Sequence, residues 1–168
     1  MKNSATPEDL FKCLADLDID NVTIEHPPVF TAEEAAMHCS QLPGAHCKTL
    51  FLKDKKDILW LIIALDYRRL DMKKLQNILG SGRLSFGKPD LMEQILGVTP
   101  GSVTPFALIN DHEKKIIPVL DTKILEEQFA NFHPLTNTMT TTIKSSDLKA
   151  FMGYCGHMVH EVDLDEAS

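Results

Sequence analysis

The sequence lacks an apolar stretch long enough to cross a bilayer. Its longest uninterrupted apolar run, residues 58–65, has eight residues, whereas a membrane-spanning helix needs about 20. The N-terminal residues also lack the apolar core of a signal peptide. These two absences predict a soluble, cytoplasmic protein that makes no contact with a membrane.

Extensive disorder is also excluded, because 43% of the 168 residues are hydrophobic and such a chain can bury enough apolar surface to fold. The length suits one compact domain. No linker and no internal repeat divides the chain, so we expect a single domain over residues 1–168. The acidic segment from residue 161 onward is expected to be a frayed tail.

Cysteines are few, and none of the four lies at the CxxC spacing of metal or redox motifs. The dipeptides His38-Cys39 and His46-Cys47 do not match the paired spacing of zinc sites, so we expect free thiols and no metal. A GxSxG nucleophile elbow is absent. Cys155 has His157 and His160 nearby, but no orienting carboxamide accompanies a pair with either histidine, which favours a structural role for these residues.

A partial nucleotide-binding motif is present in residues 82–88, which match GxxxxGK, the beginning of a phosphate-binding P-loop. The motif requires Ser or Thr next, to hold magnesium, and this chain has Pro89 there. A P-loop also follows a buried strand, whereas this segment follows a predicted helix that ends at Gly80. The match therefore does not indicate a nucleotide triphosphatase.

Capping residues, glycine stops and apolar periodicity predict the secondary structure. Helices are predicted over residues 6–17, 31–39, 71–79, 90–96, 124–129 and 145–154. Strands are predicted over 22–25, 49–53, 58–65, 106–110, 115–120 and 138–143, with one hairpin joining 49–53 to 58–65 and another joining 106–110 to 115–120. Helices and hairpins mix without a regular βαβ alternation, which favours an α+β fold with a mixed sheet.

Three segments hold residues that scaffolding alone explains poorly. In residues 43–53, Lys48 begins an apolar strand, where it either binds an anion at a cleft mouth or snorkels to solvent. In residues 97–105, prolines and glycines frame a loop that either presents backbone N–H groups to a ligand or merely connects two elements. In residues 132–140, His133 and several hydroxyls are either pocket groups or structural turn residues.

The order and spacing of these segments resemble the YbaK/ProX family, the free-standing relatives of the editing domain inserted in bacterial prolyl-tRNA synthetase. The marks are residues 43–53 (PGAHCKTLFLK), 97–108 (GVTPGSVTPFAL) and 133–143 (HPLTNTMTTTI). The ordering is most similar to the ProX branch. The resemblance implies a mixed, strongly curved and partly barrel-like sheet flanked by helices. It also implies hydrolysis of the ester in Ala-tRNA(Pro) without metal, cofactor or covalent nucleophile.

The same resemblance assigns roles to residues and partners. Lys48 and Gly101 are expected to be catalytic. The acceptor end of proline tRNA is the expected partner, with prolyl-tRNA synthetase or an elongation factor as further transient partners. The ProX branch usually has Asn where this chain has Thr49, and a hydroxyl can replace part of the contacts of an amide. The expected substrate-binding residues are Ser102, Val103, Thr104, Pro105, His133, Asn137, Phe30 and Thr49.

Two alternatives remain open at this point. The first is a deacylase of the same fold with another specificity, such as Cys-tRNA(Pro) or another small amino acid, because missing methylenes discriminate weakly between substrates. The second is a non-catalytic module that binds aminoacyl-tRNA or a synthetase and regulates or delivers it.

The charge is unevenly distributed along the chain. The formal net charge is −7, yet residues 48–88 hold ten basic and four acidic residues, while the remainder holds seven basic and twenty acidic ones. A solvated charged face is the simplest explanation of such a segment. With Lys48 among the cations, a landing surface for the tRNA acceptor end is the functional alternative. Its expected members are Lys53, Lys55, Lys56, Arg68 and Arg69.

Overall fold

The computed structural model describes residues 4–167. Its α-helices are α1 (Pro7–Asp16), α2 (Ala32–Cys39), α3 (Met72–Leu79), α4 (Pro89–Leu96), α5 (Thr122–Leu125) and α6 (Ser145–Tyr154). Its strands are β1 (Asn21–Glu25), β2 (Ala45–Asp54), β3 (Leu59–Leu65), β4 (Leu84–Phe86), β5 (Ile116–Asp121), β6 (Phe129–Phe132), β7 (Met139–Lys144) and β8 (His160–Val162). Short 3₁₀ helices cover Pro100–Ser102, Pro105–Asn110 and Leu164–Ala167.

The helices begin and end where local chemistry predicts. Thr6 and Asp9 form a capping box at the start of α1, with reciprocal side chain–backbone bonds of 2.9 and 3.1 Å. The Thr31 hydroxyl accepts from the Glu34 amide at the start of α2. Gly80 ends α3 in the left-handed conformation. The predictions for these helices are therefore confirmed to within two residues.

One mixed sheet in the order β1-β7-β6-β2-β3-β5-β8 organises the chain, and β4 pairs with β2 beside this path. The predicted hairpin of β2 and β3 is confirmed, with antiparallel pairing from Cys47 opposite Leu65 to Lys53 opposite Leu59. The β2–β6, β3–β5 and β5–β8 pairs are parallel. The predicted fold, a mixed sheet flanked by helices, is therefore correct.

The second predicted hairpin is wrong. Residues 106–110 lie in the 3₁₀ helix Pro105–Asn110 rather than in a strand, and β5 pairs in parallel with β3 and β8. Thr104 caps this 3₁₀ helix through a bond from the Phe106 amide. A short apolar run has the same pattern in a buried strand and in a buried helical turn, so periodicity cannot distinguish them.

Strand β6 was missed, because residues 124–129 were predicted as one short helix. The structure ends α5 at Leu125 and begins β6 at Phe129. Strand β6 places only four residues between β2 and β7, which is too short for alternation to be visible in the sequence.

The prediction of a frayed tail from residue 161 is also wrong within the described residues. Strand β8 pairs with β5, and the 3₁₀ helix Leu164–Ala167 buries Leu164 and Ala167 completely. The Asp71 amide donates to the Ala167 carbonyl at 2.7 Å. The acidic composition of this segment predicted that it would be solvated. The burial of its two apolar residues is nevertheless enough to pack the segment against the rest of the protein.

Strand β3 separates two apolar cores. Leu61 and Ile63 pack on one face with Phe106 and Phe151, whereas Ile62 on the other face joins a cluster that includes Leu75 and Leu164. All seven β3 residues are buried, which explains why the strand is a continuous apolar run rather than an alternating one. Among the described residues, no helix is both long and apolar enough to cross a bilayer.

The sheet opens beside the first half of β2. Pairing of β2 with β6 covers only Ala45 and His46, and pairing with β4 begins at Leu52. Gly44 makes the junction possible, because its backbone has φ +85° and a Cβ there would lie 2.1 Å from the Phe129 carbonyl oxygen. A cleft therefore forms where β6 leaves β2.

We predict that Gly44→Ala lowers the free energy of unfolding by at least about 2 kcal/mol, through strain at a positive φ and the clash with Phe129. The matched control is Gly153→Ala, at an exposed position in α6 where a Cβ meets nothing within 4 Å. That change should be neutral or stabilising by about 0.5–1 kcal/mol. Urea denaturation followed by circular dichroism measures both, and equal midpoints for the two variants would contradict the junction's role.

Candidate active site

A cavity of about 350 Å³ lies in the cleft between β2 and β6. Helix α2 and the segment before it form one side, and the 3₁₀ turn at Pro100–Ser102 forms another. Of the residues predicted for the site, six line the cavity together: Phe30, Lys48, Thr49, Gly101, Val103 and His133. Residues that are far apart in the sequence therefore meet in one pocket of small-molecule size.

Lys48 projects from β2 at the edge of the cavity, and its ammonium donates a hydrogen bond to the Arg68 carbonyl. Partial burial lowers the pKa of Lys48, while the Asp66 carboxylate acts in the opposite direction. An ammonium has three N–H donors, and the Arg68 carbonyl takes one. This hydrogen bond therefore holds the Lys48 ammonium in place, and its remaining N–H groups can donate to an anion or an ester in the cavity.

Asp66 also lines the cavity, and sequence reasoning missed it. It directly follows β3, and its amide donates to the His46 carbonyl at 2.9 Å, which ties the end of β3 to the start of β2. The signal was available, since a carboxylate directly after the apolar run of residues 58–65 marks the point where a strand leaves the core. The negative charge of Asp66 acts on the Lys48 ammonium and raises its pKa, against the effect of burial.

One ring nitrogen of His133 is hydrogen-bonded to the protein backbone, and this bond determines the role of the other nitrogen. The ring Nδ1 lies 3.0 Å from the Met139 carbonyl. A carbonyl only accepts, so Nδ1 carries the hydrogen. Burial lowers the pKa of His133 below its ordinary value of 6.5, and nearby His26 adds to the effect. The neutral ring therefore keeps an Nε2 lone pair, which is a hydrogen-bond acceptor.

A chain of hydrogen bonds stiffens the cavity wall beneath α2. His26 donates through Nδ1 to the Pro27 carbonyl, and its Nε2 is hydrogen-bonded to the Thr140 hydroxyl at 2.8 Å. The Thr140 oxygen is also hydrogen-bonded to the Cys39 sulfur at 3.4 Å. Sequence reasoning did not single out His26. Cys39 and Thr140 both line the cavity, so two of its wall groups have fixed orientations.

The glycine- and proline-rich loop contributes fewer groups than expected. Gly101 and Val103 line the cavity, and a Cβ on Gly101 would lie 3.1 Å from the Asn137 amide nitrogen and 3.2 Å from the Phe30 ring. The Ser102 amide already donates to the Thr99 carbonyl. Ser102, Thr104 and Pro105 are buried and support the loop from behind.

Two further predicted residues differ in position. Phe30 lies at the cavity rim with 72% of its surface exposed. Asn137 stands outside the lining and donates from its side chain to the Val29 carbonyl at 3.1 Å, while its own carbonyl accepts from the Val29 amide. Asn137 therefore joins the loop after β6 to the segment before α2, and we assign it a structural role.

The predicted tRNA surface needs one correction. Lys55, Lys56 and Arg69 are exposed, and Lys53 is partly exposed with an ion pair to Asp57 at 3.2 Å. Arg68 is only 3% exposed and pairs with Asp121 and Asp165. A guanidinium engaged in this way cannot reach a phosphate on a large partner. Sequence charge counts do not reveal such pairing, because both carboxylates lie far along the chain.

The thiols show no sign of nucleophilic activation. Burial raises the pKa of the Cys155 thiol to about 12, and it also raises the pKa of Cys47, which lines the cavity. The sequence suggested His157 as a base for Cys155, but its Nε2 is hydrogen-bonded to the Asp111 carboxylate at 2.8 Å. Within residues 4–167, no group of three or more His, Cys, Asp or Glu side chains could hold a metal ion.

Comparison with known proteins gives a consistent result. The model of the aminoacyl-tRNA editing domain matches residues 26–151. Prolyl-tRNA synthetase associated domain-containing protein 1 of Xenopus laevis is 40% identical over 89% of this chain and 92% of its own length. Prolyl-tRNA editing protein ProX of Acetoanaerobium sticklandii is 31% identical over 90% of this chain and 93% of its own length.

The fold has matching neighbours as well. A crystal structure provisionally described as a trans-editing enzyme for prolyl tRNA synthetase superimposes with a TM-score of 0.69, covering 95% of this chain and 98% of its own. Its sequence identity is 20%, so this likeness concerns the fold alone. The extent of the family match and the identity to curated relatives decide the classification: the chain belongs to the aminoacyl-tRNA editing domain family, of the YbaK/ProX type.

Proposed function

We propose that this protein is a trans-editing deacylase that hydrolyses mischarged aminoacyl-tRNA, with Ala-tRNA(Pro) as its preferred substrate. The observation that carries the proposal is the meeting of a fixed ammonium, Lys48, with a neutral acceptor, His133, in one cavity of about 350 Å³. A positive group suits the phosphate or ribose edge of a nucleotide. A neutral imidazole acceptor suits the α-ammonium group of an amino acid.

Hydrolysis of an aminoacyl ester requires few catalytic groups from the protein. An aminoacyl ester is already activated, so positioning and stabilisation of charge supply most of the rate enhancement. Lys48 donates to the terminal adenosine and orients the ester in the cavity. Water adds its oxygen to the ester carbonyl carbon, the bond to the ribose oxygen breaks, and that oxygen takes up a proton. The free hydroxyl of the terminal ribose assists the proton transfer, in keeping with the raised pKa of the Cys47 and Cys155 thiols.

The loop at residues 100–103 stabilises the charge that develops on the carbonyl oxygen. Gly101 and Val103 line the cavity, and in this proposal their amides donate to the oxygen. The absence of a side chain at Gly101 lets the backbone approach Phe30 and Asn137 closely. Ser102 contributes through the turn rather than through its own amide, because that amide donates to Thr99.

Selectivity for a small amino acid follows from the stiffness of the cavity wall. His133 is fixed by the Met139 carbonyl, and Thr140 is fixed between His26 and Cys39. Walls of bonded polar groups cannot move apart without leaving a polar atom unpaired, which costs about 1–3 kcal/mol. Such a site admits alanine and resists the larger ring of proline. Phe30, exposed at the rim, contacts the terminal nucleotide.

The acceptor end of proline tRNA is the proposed partner, and it contacts the exposed cations Lys55, Lys56 and Arg69 and the partly exposed Lys53. These side chains belong to the segment with excess positive charge, which favours transient, salt-dependent contact with phosphates. Brief contact with prolyl-tRNA synthetase or an elongation factor belongs to the same proposal. The names of the curated relatives, which refer to that synthetase, support it.

The substrate panel is the direct test. Single-turnover hydrolysis of proline tRNA charged with Ala, Cys, Ser or Pro should be fastest with Ala, and Pro should be slower by at least about 100-fold because the ring does not fit. Fastest hydrolysis of the Cys-charged tRNA would identify Cys-tRNA(Pro), rather than Ala-tRNA(Pro), as the preferred substrate. Binding of all four tRNAs without hydrolysis of any would establish a non-catalytic binding module instead.

Lys48→Ala should reduce kcat/KM for the preferred substrate by at least about 100-fold, because the ester loses its orienting cation. The fold should persist, since Lys48 is only partly buried. Lys12→Ala is the matched control, with a side chain 78% exposed on α1 and remote from the cavity. Circular dichroism checks folding of both variants. Wild-type rates in Lys48→Ala would contradict the mechanism.

The state of His133 predicts a pH dependence. The pKa of its ring is below 6.5, so the ring is neutral at pH 7 and becomes protonated only as the pH falls through that lowered value. Protonation removes the acceptor and places a cation beside the substrate ammonium. We expect kcat/KM to fall on the acid side, mainly through KM.

His133→Gln should remove this acid limb, because glutamine does not titrate. His112→Gln is the control, because His112 is exposed and lies outside the cavity lining; this variant should keep the wild-type profile. A pH series of single-turnover rates measures all three proteins. An unchanged acid limb in His133→Gln would show that another group controls it.

A further inference from the structure

A buried ionic cluster lies directly behind Lys48. The Arg68 side chain is 2% exposed, and its Nε and Nη2 both donate to the Asp121 carboxylate, with the Nη2 bond at 3.1 Å. Its Nη1 donates to Asp165 at 2.6 Å. Asp121 is fully buried, whereas the Asp165 side chain is 56% exposed. The guanidinium is therefore held by two carboxylates from different parts of the chain.

The same residue holds the ammonium of Lys48. The Arg68 carbonyl accepts the hydrogen bond from Lys48 Nζ, and the Arg68 amide closes a turn onto the Leu65 carbonyl. Asp121 also accepts from the Leu65 amide at 3.3 Å. One carboxylate thus fixes both the end of β3 and the side chain whose backbone anchors Lys48.

The second carboxylate comes from the C-terminal segment, residues 160–167. Strand β8 pairs with β5 up to Asp121 opposite Val162, and the Ala167 carbonyl accepts from the Asp71 amide. These contacts place Asp165 between two anchored points. The segment lies beyond residue 151, where the match to the family model ends.

We propose that Arg68, Asp121 and Asp165 are positioning residues for Lys48, so that the C-terminal segment is part of the apparatus that sets the active-site cation. The inference rests on the proposed function, because it assigns these residues to the site of deacylation. A bidentate guanidinium–carboxylate pair fixes direction as well as distance. It thereby fixes the carbonyl that determines where the Lys48 ammonium points. Rates of ester chemistry depend steeply on such placement.

The test separates positioning from general stability. Asp165→Ala removes one carboxylate at a half-exposed site, where the fold should tolerate the change. Glu166→Ala is the control, since Glu166 is the neighbouring exposed acid, whereas the ion pairs of Arg68 are made to Asp121 and Asp165. Asp121→Asn is a second variant that keeps the shape of the side chain and removes its charge. Circular dichroism and thermal unfolding report the stability of each protein.

The first readout does not need catalysis. Acetic anhydride modifies exposed amines, and mass spectrometry gives the rate at each lysine. We expect Lys48 to react at least about threefold faster in Asp165→Ala and Asp121→Asn than in the wild type, because a loosened carbonyl acceptor frees its ammonium. Lys12 should react equally in all proteins, and Glu166→Ala should match the wild type. Unchanged labelling of Lys48 in both cluster variants would overturn the proposal.

The second readout is deacylation of Ala-tRNA(Pro). Asp165→Ala should lower kcat about 3–10-fold with KM within about twofold, because tRNA affinity comes from the distant surface cations. In a Lys48→Ala background, Asp165→Ala should cause no further loss, as expected when one residue acts through the other. Equal losses in both backgrounds would indicate a purely structural role and overturn the proposal. If labelling changes while the wild type hydrolyses none of the substrates, the proposed function fails and the positioning stands.

Discussion

The burial of one guanidinium is the constraint on which much of this structure depends. Arg68 lies at 3% exposure at the end of β3, where a lone charge would cost several kcal/mol. Asp121 and Asp165 compensate it from the end of β5 and from the last 3₁₀ helix. The cluster therefore joins three segments that are distant in the sequence. It also explains why an acidic C-terminus lies folded against the sheet.

Burial shifts the pKa of the two basic groups of the cavity in the same direction but leaves them in different charge states. It lowers the pKa of both Lys48 and His133. For lysine, a lowered value still starts from 10.5 and is opposed by Asp66, so the side chain stays a cation near neutral pH. For histidine, the same effect favours the neutral ring. One cavity thus combines a positive donor with an uncharged acceptor, which suits a ligand that is anionic at one end and cationic at the other.

The distribution of charge acquires a different meaning once the fold is known. Residues 48–88 hold an excess of six positive charges in a chain of net charge −7. Arg68 is removed from that surface by its two carboxylate partners, and Lys48 faces the cavity. The cations that remain exposed, such as Lys55 before β3 and Arg69 after it, are fewer than the sequence count suggests. Under the proposed function, a small number of exposed cations suits an enzyme that releases its tRNA after each reaction.

Local chemistry in the sequence by itself determined the helices with clear caps, the β2–β3 hairpin and the segments that mark the editing-domain family. Caps and glycine stops act within a few residues, so their signals are readable without the fold. Lys48 and His133 were identifiable because their segments carry the resemblance. Two further groups of the cavity, Asp66 and Thr140, were not singled out.

Only the tertiary structure decided the remaining features, and the reason is their dependence on distant partners. The 3₁₀ helix Pro105–Asn110 and strand β6 are short segments whose conformation is set by what packs against them. The parallel pairing of β5, the docking of residues 160–167 and the burial of Arg68 each require contacts across the chain. Burial and pairing of charges are properties of the folded whole, because no single segment contains both members of the pair.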